Sequence, residues 1–323
     1  MSEDSLAVSC VLTAQALNGE CPCWDPREQC LYWIDVPAGT VHRFDPATGN
    51  DAHWQMPTKI GSLALGPEGK LIVALRTGVY RFDCVTGSLE LLAPVPFNAR
   101  QFFLNDGKCD REGRFWVGPM FDPLEPVSLG PQTAPLLCLE PDGLRLRPVV
   151  SGVRISNGLA WSPDGRRMYH ADTQKKAVFA FDFDLETASL RNERTFAVLA
   201  APEGGPDGGA VDAEGHYWAA IFGGGCLVRL DPDGNVEREV RLPTKYPTMC
   251  AFGGDDLQTA FVTSSSKLVR SKGEPLAETD GGIFCFRAPV PGLPTSFASE
   301  KYFRAGPDSG FSPRVLHHES LDA

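Results

Sequence analysis

The chain has 323 residues, 42% of them apolar and 22% charged, enough for a sizeable core in a globular protein. Its 41 acidic and 30 basic residues give a net charge of −11, the wrong sign for a phosphate-binding surface, so nucleic acid is set aside as a partner. No run of 18 apolar residues marks a transmembrane helix, and the acidic start MSEDS is unlike a signal peptide, so a cytoplasmic protein with no membrane partner is expected.

In chain order, the stretch AVSCVLTAQAL precedes the first of six related segments. These read GECPCWDPREQ, GSLALGPEGK, NDGKCDREGR, NGLAWSPDGR, DGGAVDAEGH and TMCAFGGDDL, and each joins a short apolar run to a turn. Aromatic and β-branched runs such as CLYWIDV, GRFWVG, AVFAFDFD and HYWAAIF accompany them, and Asp-Gly and Pro-Asp pairs bound many of these runs. The copies align on a turn at Glu28, Gly69, Gly113, Gly165, Gly215 and Asp256, with spacings of 41, 44, 52, 50 and 41 residues. Four strands per period of this length is the pattern of a propeller blade. The fourth copy displays them as NGLAWS, RMYHAD, AVFAFDFD and RTFAVLA. The expected fold is therefore all-β: one six-bladed β-propeller over about 8–290, four antiparallel strands per blade, in a single domain spanning 1–323. AVSCVLTAQAL is expected to meet the C-terminal GGIFCFRAP and close the ring. A Pro-rich loop is expected at 124–135, a polar loop at 265–280 and a loose tail from about 300 to 323.

Eight residues before each turn stand Glu20, Gly61, Asn105, Asn157, Asp207 and Thr248. This is the start of the strand that lines the channel, so the six form a ring at one mouth. Two carboxylates brought together repel unless a cation or proton intervenes. Carboxylate and carboxamide oxygens are hard ligands that suit calcium, magnesium or manganese, and zinc and ferrous iron also accept them. Taken singly, Asn157-Gly158 and Asp207-Gly208 also read as plain turn pairs.

These segments resemble the regucalcin/gluconolactonase (senescence marker protein) family from about Gly19 to Arg287. The resemblance rests on GECPCWDPREQCLYWIDVPAGTVHRFDPATG, LNDGKCDREGRFWVGPM, ISNGLAWSPDGRRMYHADT, GGPDGGAVDAEGHYWAA and CAFGGDDL. Ile155 to Asp182 looks most like bacterial sugar-acid lactonases. The resemblance implies a six-bladed propeller and one divalent cation (Ca, Mg, Mn, Zn or Fe) held by Glu20, Asn157 and Asp207. It implies that Asn105 contacts substrate and that Asp207 is the catalytic base or acid. The family commonly carries an Arg two residues before that Asn, where this chain has Phe103. Its substrate-binding Glu falls at Pro123, beside Asp122. Phe102 and Phe103 read either as an apolar wall at the mouth or as core.

The expected activity is metal-dependent opening of a lactone ring, with an aldonolactone as small-molecule partner and a monomeric protein. The alternatives are a non-enzymatic metal-binding protein of regucalcin type and a hydrolase of another ester. A Gly-x-Ser-x-Gly elbow is missing from the sequence, and its six histidines are not at zinc spacing. His170 reads as structural. Cys21 and Cys23 allow a Cys-x-Cys metal site, against which the nearby oxygen ligands argue. Most of the ten cysteines read as reduced core residues. Glycines 223–225 read as a strand connection.

Overall fold

A computed structural model describes residues 6–126, 132–142 and 144–304. The N-terminal strand is β1 (Ser9–Leu12). Blade one follows as β2 (Gly19–Asp25), β3 (Cys30–Asp35), β4 (Thr40–Phe44) and β5 (Asp51–Gln55). Blade two is β6 (Ile60–Leu65), β7 (Lys70–Leu75), β8 (Gly78–Asp83) and β9 (Leu89–Pro94). Blade three is β10 (Phe102–Cys109), β11 (Phe115–Phe121), β12 (Ala134–Glu140) and β13 (Arg145–Val153). Blade four is β14 (Ser156–Trp161), β15 (Arg167–Asp172), β16 (Ala177–Asp184) and β17 (Ser189–Val198). Blade five is β18 (Pro206–Val211), β19 (Tyr217–Ile221), β20 (Cys226–Leu230) and β21 (Val236–Arg241). Blade six is built from β22 (Pro247–Gly253), β23 (Thr259–Ser264) and β24 (Ile283–Arg287), with β1 as its outermost strand.

The expected propeller is thus the observed fold, and the two ends of the chain meet as read: Ser9 pairs with Cys285 and Cys10 with Phe284, antiparallel. The core is divided into apolar clusters, one between each pair of neighbouring blades. Blades one and two share Ile34, Val41, Val73 and Leu75. Blades three and four share Trp116, Leu136, Met168 and Phe181. Blade six returns to blade one through Phe261, Ile283, Trp24 and Trp33. Each sheet therefore buries both faces, which is why β3, β6 and β14 are buried at every position, while outer strands such as β5 and β17 are half exposed.

Two connections read from the sequence are present. The polar loop after β23 contains a short helix, α1 (Lys267–Ser271), and glycines 223–225 form the expected hairpin connection between β19 and β20. After β24 the chain crosses the lower face as a strap. Its contacts run from blade five (Ala213 N donates to Pro291 O, 2.8 Å) to blade one (Thr295 Oγ1 to the Trp24 carbonyl, 2.8 Å). They continue to blade two (Ala298 N to Leu65 O, 2.7 Å) and blade three, where the Tyr302 hydroxyl donates to Leu139 O at 2.6 Å. Of the tail expected from about residue 300, residues 305–323 lie outside the described residues, as do residues 127–131 of the Pro-rich loop.

Candidate functional site

The ladder between first and second strand slips at one equivalent place in every blade. The breaks fall between Glu20 and Cys23, Ile60 and Ser62, Leu104 and Gly107, Asn157 and Ala160, Pro206 and Gly209, and Pro247 and Met249. Each bulge holds or adjoins one of the six ring positions. A bulge frees a residue from the ladder and re-aims it, so the six mark one level of the channel. Asn157-Gly158 and Asp207-Gly208 accordingly lie inside strands, not in turns between them. Gly158 has φ +64, and a Cβ there would lie 2.3 Å from the Tyr217 hydroxyl, which donates to its carbonyl at 2.8 Å. At Gly61 a Cβ would lie 1.9 Å from Leu104 O, so blade two offers only backbone and lets blade three close in.

Asn105 Nδ2 donates to Ser156 O (2.8 Å) and to Asn157 Oδ1 (3.1 Å), joining blades three and four. Both amide hydrogens of Asn105 are thereby committed, and what it offers a ligand is the acceptor Oδ1. Asn157 Nδ2 donates to Thr173 Oγ1 at 2.8 Å, which fixes the amide with its oxygen toward Asn105. Thr248 gives its hydroxyl to Gly19 O at 2.5 Å and to a contact with Thr263 Oγ1 at 2.8 Å, so it serves ring closure between blades six and one.

The acidic members are electrostatically coupled. Enclosure in the channel pushes the Glu20 carboxyl well above its ordinary range, and Asp207 and Asp106 push it further. Asp207 is also pushed well up, first by burial and then by Asp106. Asp106 was not among the residues singled out from the sequence. It is buried one position past Asn105, its Oδ2 accepts from Leu159 N at 3.2 Å, and its Oδ1 finds no hydrogen-bond partner among the described residues. Burial raises its proton affinity, which nearby Lys108 partly offsets. Lys108, likewise unforeseen, spans from blade three to Gly209 O of blade five at 2.7 Å.

Beneath this level lies a cavity of about 410 Å³, lined by Cys21, Cys23, Lys108, Met249 and Cys250 and closed below by strap residues including Phe297. Burial pushes the Cys23 and Cys250 thiols up to about 12, which suits apolar lining and not thiolate ligation. Among the described residues, no group of three or more His, Cys, Asp and Glu side chains stands ready to hold a metal ion. The expected set contains two such residues, Glu20 and Asp207, with the carboxamide of Asn157. Two enclosed carboxylates whose proton affinity is raised by burial and by neighbouring acidic groups, with hard oxygen donors beside them, have the chemistry that a divalent cation would neutralise.

Phe102 and Phe103 are both buried. Phe102 packs edge-on against Phe121, and Phe103 joins the cluster between blades one and two. The core reading of the two therefore holds. Arg100, near the place of the family's Arg, pairs with exposed Glu125 instead. His170 is buried with its Nε2 2.9 Å from Ser156 Oγ, a structural place behind the ring, as read.

The SMP-30/Gluconolactonase/LRE-like region matches residues 18–266. A 6-deoxy-6-sulfogluconolactonase of Pseudomonas putida is 40% identical over 289 residues, covering 88% of this chain and 96% of that one. Regucalcin of Xenopus laevis is 34% identical over 297 residues, covering 91% and 99%. A solved structure of regucalcin from Agrobacterium tumefaciens, described as a calcium-binding protein, superposes with a TM-score of 0.81 at 25% identity, covering 91% and 98%. With the propeller, the order of its motifs and these likenesses in agreement, the chain belongs to the SMP-30/gluconolactonase/regucalcin family.

Proposed function

We propose that the protein is a lactonase that opens the cyclic ester of a sugar acid with the help of one divalent cation. The observation that carries this reading is the ring itself: Glu20 and Asp207 enclosed together, with Asn105 and Asn157 hydrogen-bonded beside them. The 40% identical relative is a lactonase of a sulfonated gluconic acid, which supports a sugar-acid lactone as the substrate class.

Glu20, Asn157 and Asp207 would hold the cation, which when bound supplies Lewis-acid polarisation of the ester carbonyl and acidifies water. Asp207 takes one proton from the attacking water as the oxygen adds to the carbonyl carbon. The ring C–O bond then breaks, and Asp207 returns the proton to the departing alkoxide, leaving an open hydroxy acid. Asn105, with only Oδ1 free to accept, orients the substrate through one of its hydroxyl groups. Burial of Asp207 raises its basicity, the direction a general base requires.

The test is to strip the protein with chelator and restore calcium, magnesium, manganese, zinc and ferrous iron singly. Acid release is followed on five- and six-membered aldonolactones, with Asp207→Ala in parallel. Turnover should return with metal and fall by about 10²–10⁴-fold in the variant. Metal binding with no turnover of any lactone would overturn the proposal in favour of a metal-binding protein.

A further inference from the structure

Above the ring, at the junction of blades two and three, two cationic side chains gather on one carboxylate oxygen. Lys59 Nζ donates to Asp122 Oδ2 at 2.8 Å, and the Arg76 guanidinium donates to the same oxygen. Arg76 is nearly buried and also donates to the carbonyls of Ala99 and Asp122 at 3.0 and 3.2 Å. These bonds hold the guanidinium in place, and it serves to fix Asp122. Lys59 differs: its side chain is 34% exposed, and an ammonium has three N–H donors, of which Asp122 takes one. Two cations share one carboxylate, so the group carries a net charge of about +1. The adjacent Arg100–Glu125 pair is neutral and leaves that charge standing.

Phe103 lies beneath the group, with its ring centroid 5.5 Å from the Arg76 guanidinium and 5.7 Å from Lys59 Nζ. Its buried face and the cation–π contacts hold both cations above it. Lys59 is two residues ahead of Gly61, and Phe103 two ahead of Asn105. At about 3.3 Å per strand residue the cluster stands roughly 7 Å outward of the ring level. That separation is within reach of the far end of a six-carbon lactone whose carbonyl lies at the ring.

We propose that Lys59, aimed by Asp122 and Arg76 over Phe103, is a specificity residue that binds a tetrahedral anionic group, a sulfonate or phosphate ester, on the substrate carbon farthest from the lactone carbonyl. This rests on the lactonase reading for the orientation of the substrate. Its ammonium donates two charge-assisted hydrogen bonds to the anion.

The test compares three six-membered gluconolactones that differ only at carbon six, bearing hydroxyl, sulfonate or phosphate, on the metal-loaded protein. Wild type should favour one of the two anionic lactones over the hydroxyl form, and that arm identifies the group. Lys59→Gln should lower kcat/KM on the preferred anionic lactone at least tenfold more than on the hydroxyl lactone, through KM. Tenfold corresponds to about 1.4 kcal/mol, the size of a charge-assisted contact. Lys59→Arg should restore most of the preference. Equal losses on all three, or no anionic preference in wild type, would overturn the proposal. Calorimetric titration with the ring-opened 6-sulfonated and 6-phosphorylated acids separates the two readings. Lys59-dependent binding without turnover sustains the subsite while the lactonase reading falls. Binding indifferent to Lys59, again without turnover, overturns both.

Discussion

His170 lies directly behind the ring, hydrogen-bonded to Ser156, whose carbonyl takes a hydrogen from Asn105. Gly118 makes the room, since a Cβ there would sit 1.7 Å from Ser156 Oγ. Burial pushes the imidazole down to about 4, with Asp172 opposing and Lys175 assisting. An unfolded chain binds that proton near 6.5. His170 therefore contributes full stability above pH ~6.5, and stability is lost as pH falls from there toward ~4, by up to ~3 kcal/mol. Urea midpoints measured from pH 7.5 to 4 should fall in that window, and His170→Gln should flatten the slope; an unchanged slope would place the loss on other groups. The four carboxylate and carboxamide residues of the ring were legible because each stands at a fixed offset from a turn, a property of the chain alone. Asp106, Lys108 and Lys59 were not legible in this way. Each takes its importance from a partner on another blade, and no local pattern records that pairing.

At the scale of elements, the turns between first and second strands show where a sequence pattern holds and where it slips. In blades two to five the left-handed residue is the glycine on which the copies align: Gly69, Gly113, Gly165 and Gly215, with φ from +67 to +84. In blade one it is Gln29 (φ +52), one residue beyond Glu28, and in blade six Leu257 (φ +56), one residue beyond Asp256, with Gly254 (φ +80) earlier in the same turn. Without a glycine at the aligned position, those turns could be placed only to within a residue. A non-glycine in this conformation costs roughly 1 kcal/mol. Gln29 is exposed and donates one side-chain hydrogen bond, to Pro26 O at 2.9 Å. Gln29→Gly should therefore stabilise the protein by about 0.5 kcal/mol, after the lost bond is set against the relieved strain. A thermal melt would show this as a small rise in Tm, and a fall would mean that the Pro26 contact outweighs the strain. The bulges were legible only indirectly, since a strand's slip against its partner depends on both strands.

At the scale of the molecule, each blade covers its neighbours, and two extra devices bind the circle. One is β1 on β24, which the sequence revealed because AVSCVLTAQAL precedes the first blade and GGIFCFRAP ends the last one. The other is the strap, which carries little periodic signal. Its residues satisfy backbone groups on five blades in turn and do not form a regular ladder. Its strongest anchor is Tyr302, fully buried between blades two and three, donating to Leu139 O and accepting from Phe115 N at 3.3 Å. Removing such a side chain forfeits its burial and leaves a cavity, together about 3–5 kcal/mol for a large aromatic. Tyr302→Ala should therefore lower the urea midpoint by that order. The strap also forms the floor of the 410 Å³ cavity through Phe297, which lies 4.2 Å beneath the Arg27 guanidinium. Freed from its anchor, the strap should open the lower end of the channel, while the upper ring, braced by Lys108 and Thr248, holds. Hydrogen exchange on Tyr302→Ala should thus speed at the Ala298 and Ser299 amides, which bond to Leu65 and Gly113, and leave β14 and β18 protected. Uniform loss of protection across all six blades would instead show that the strap is integral to closure of the whole ring.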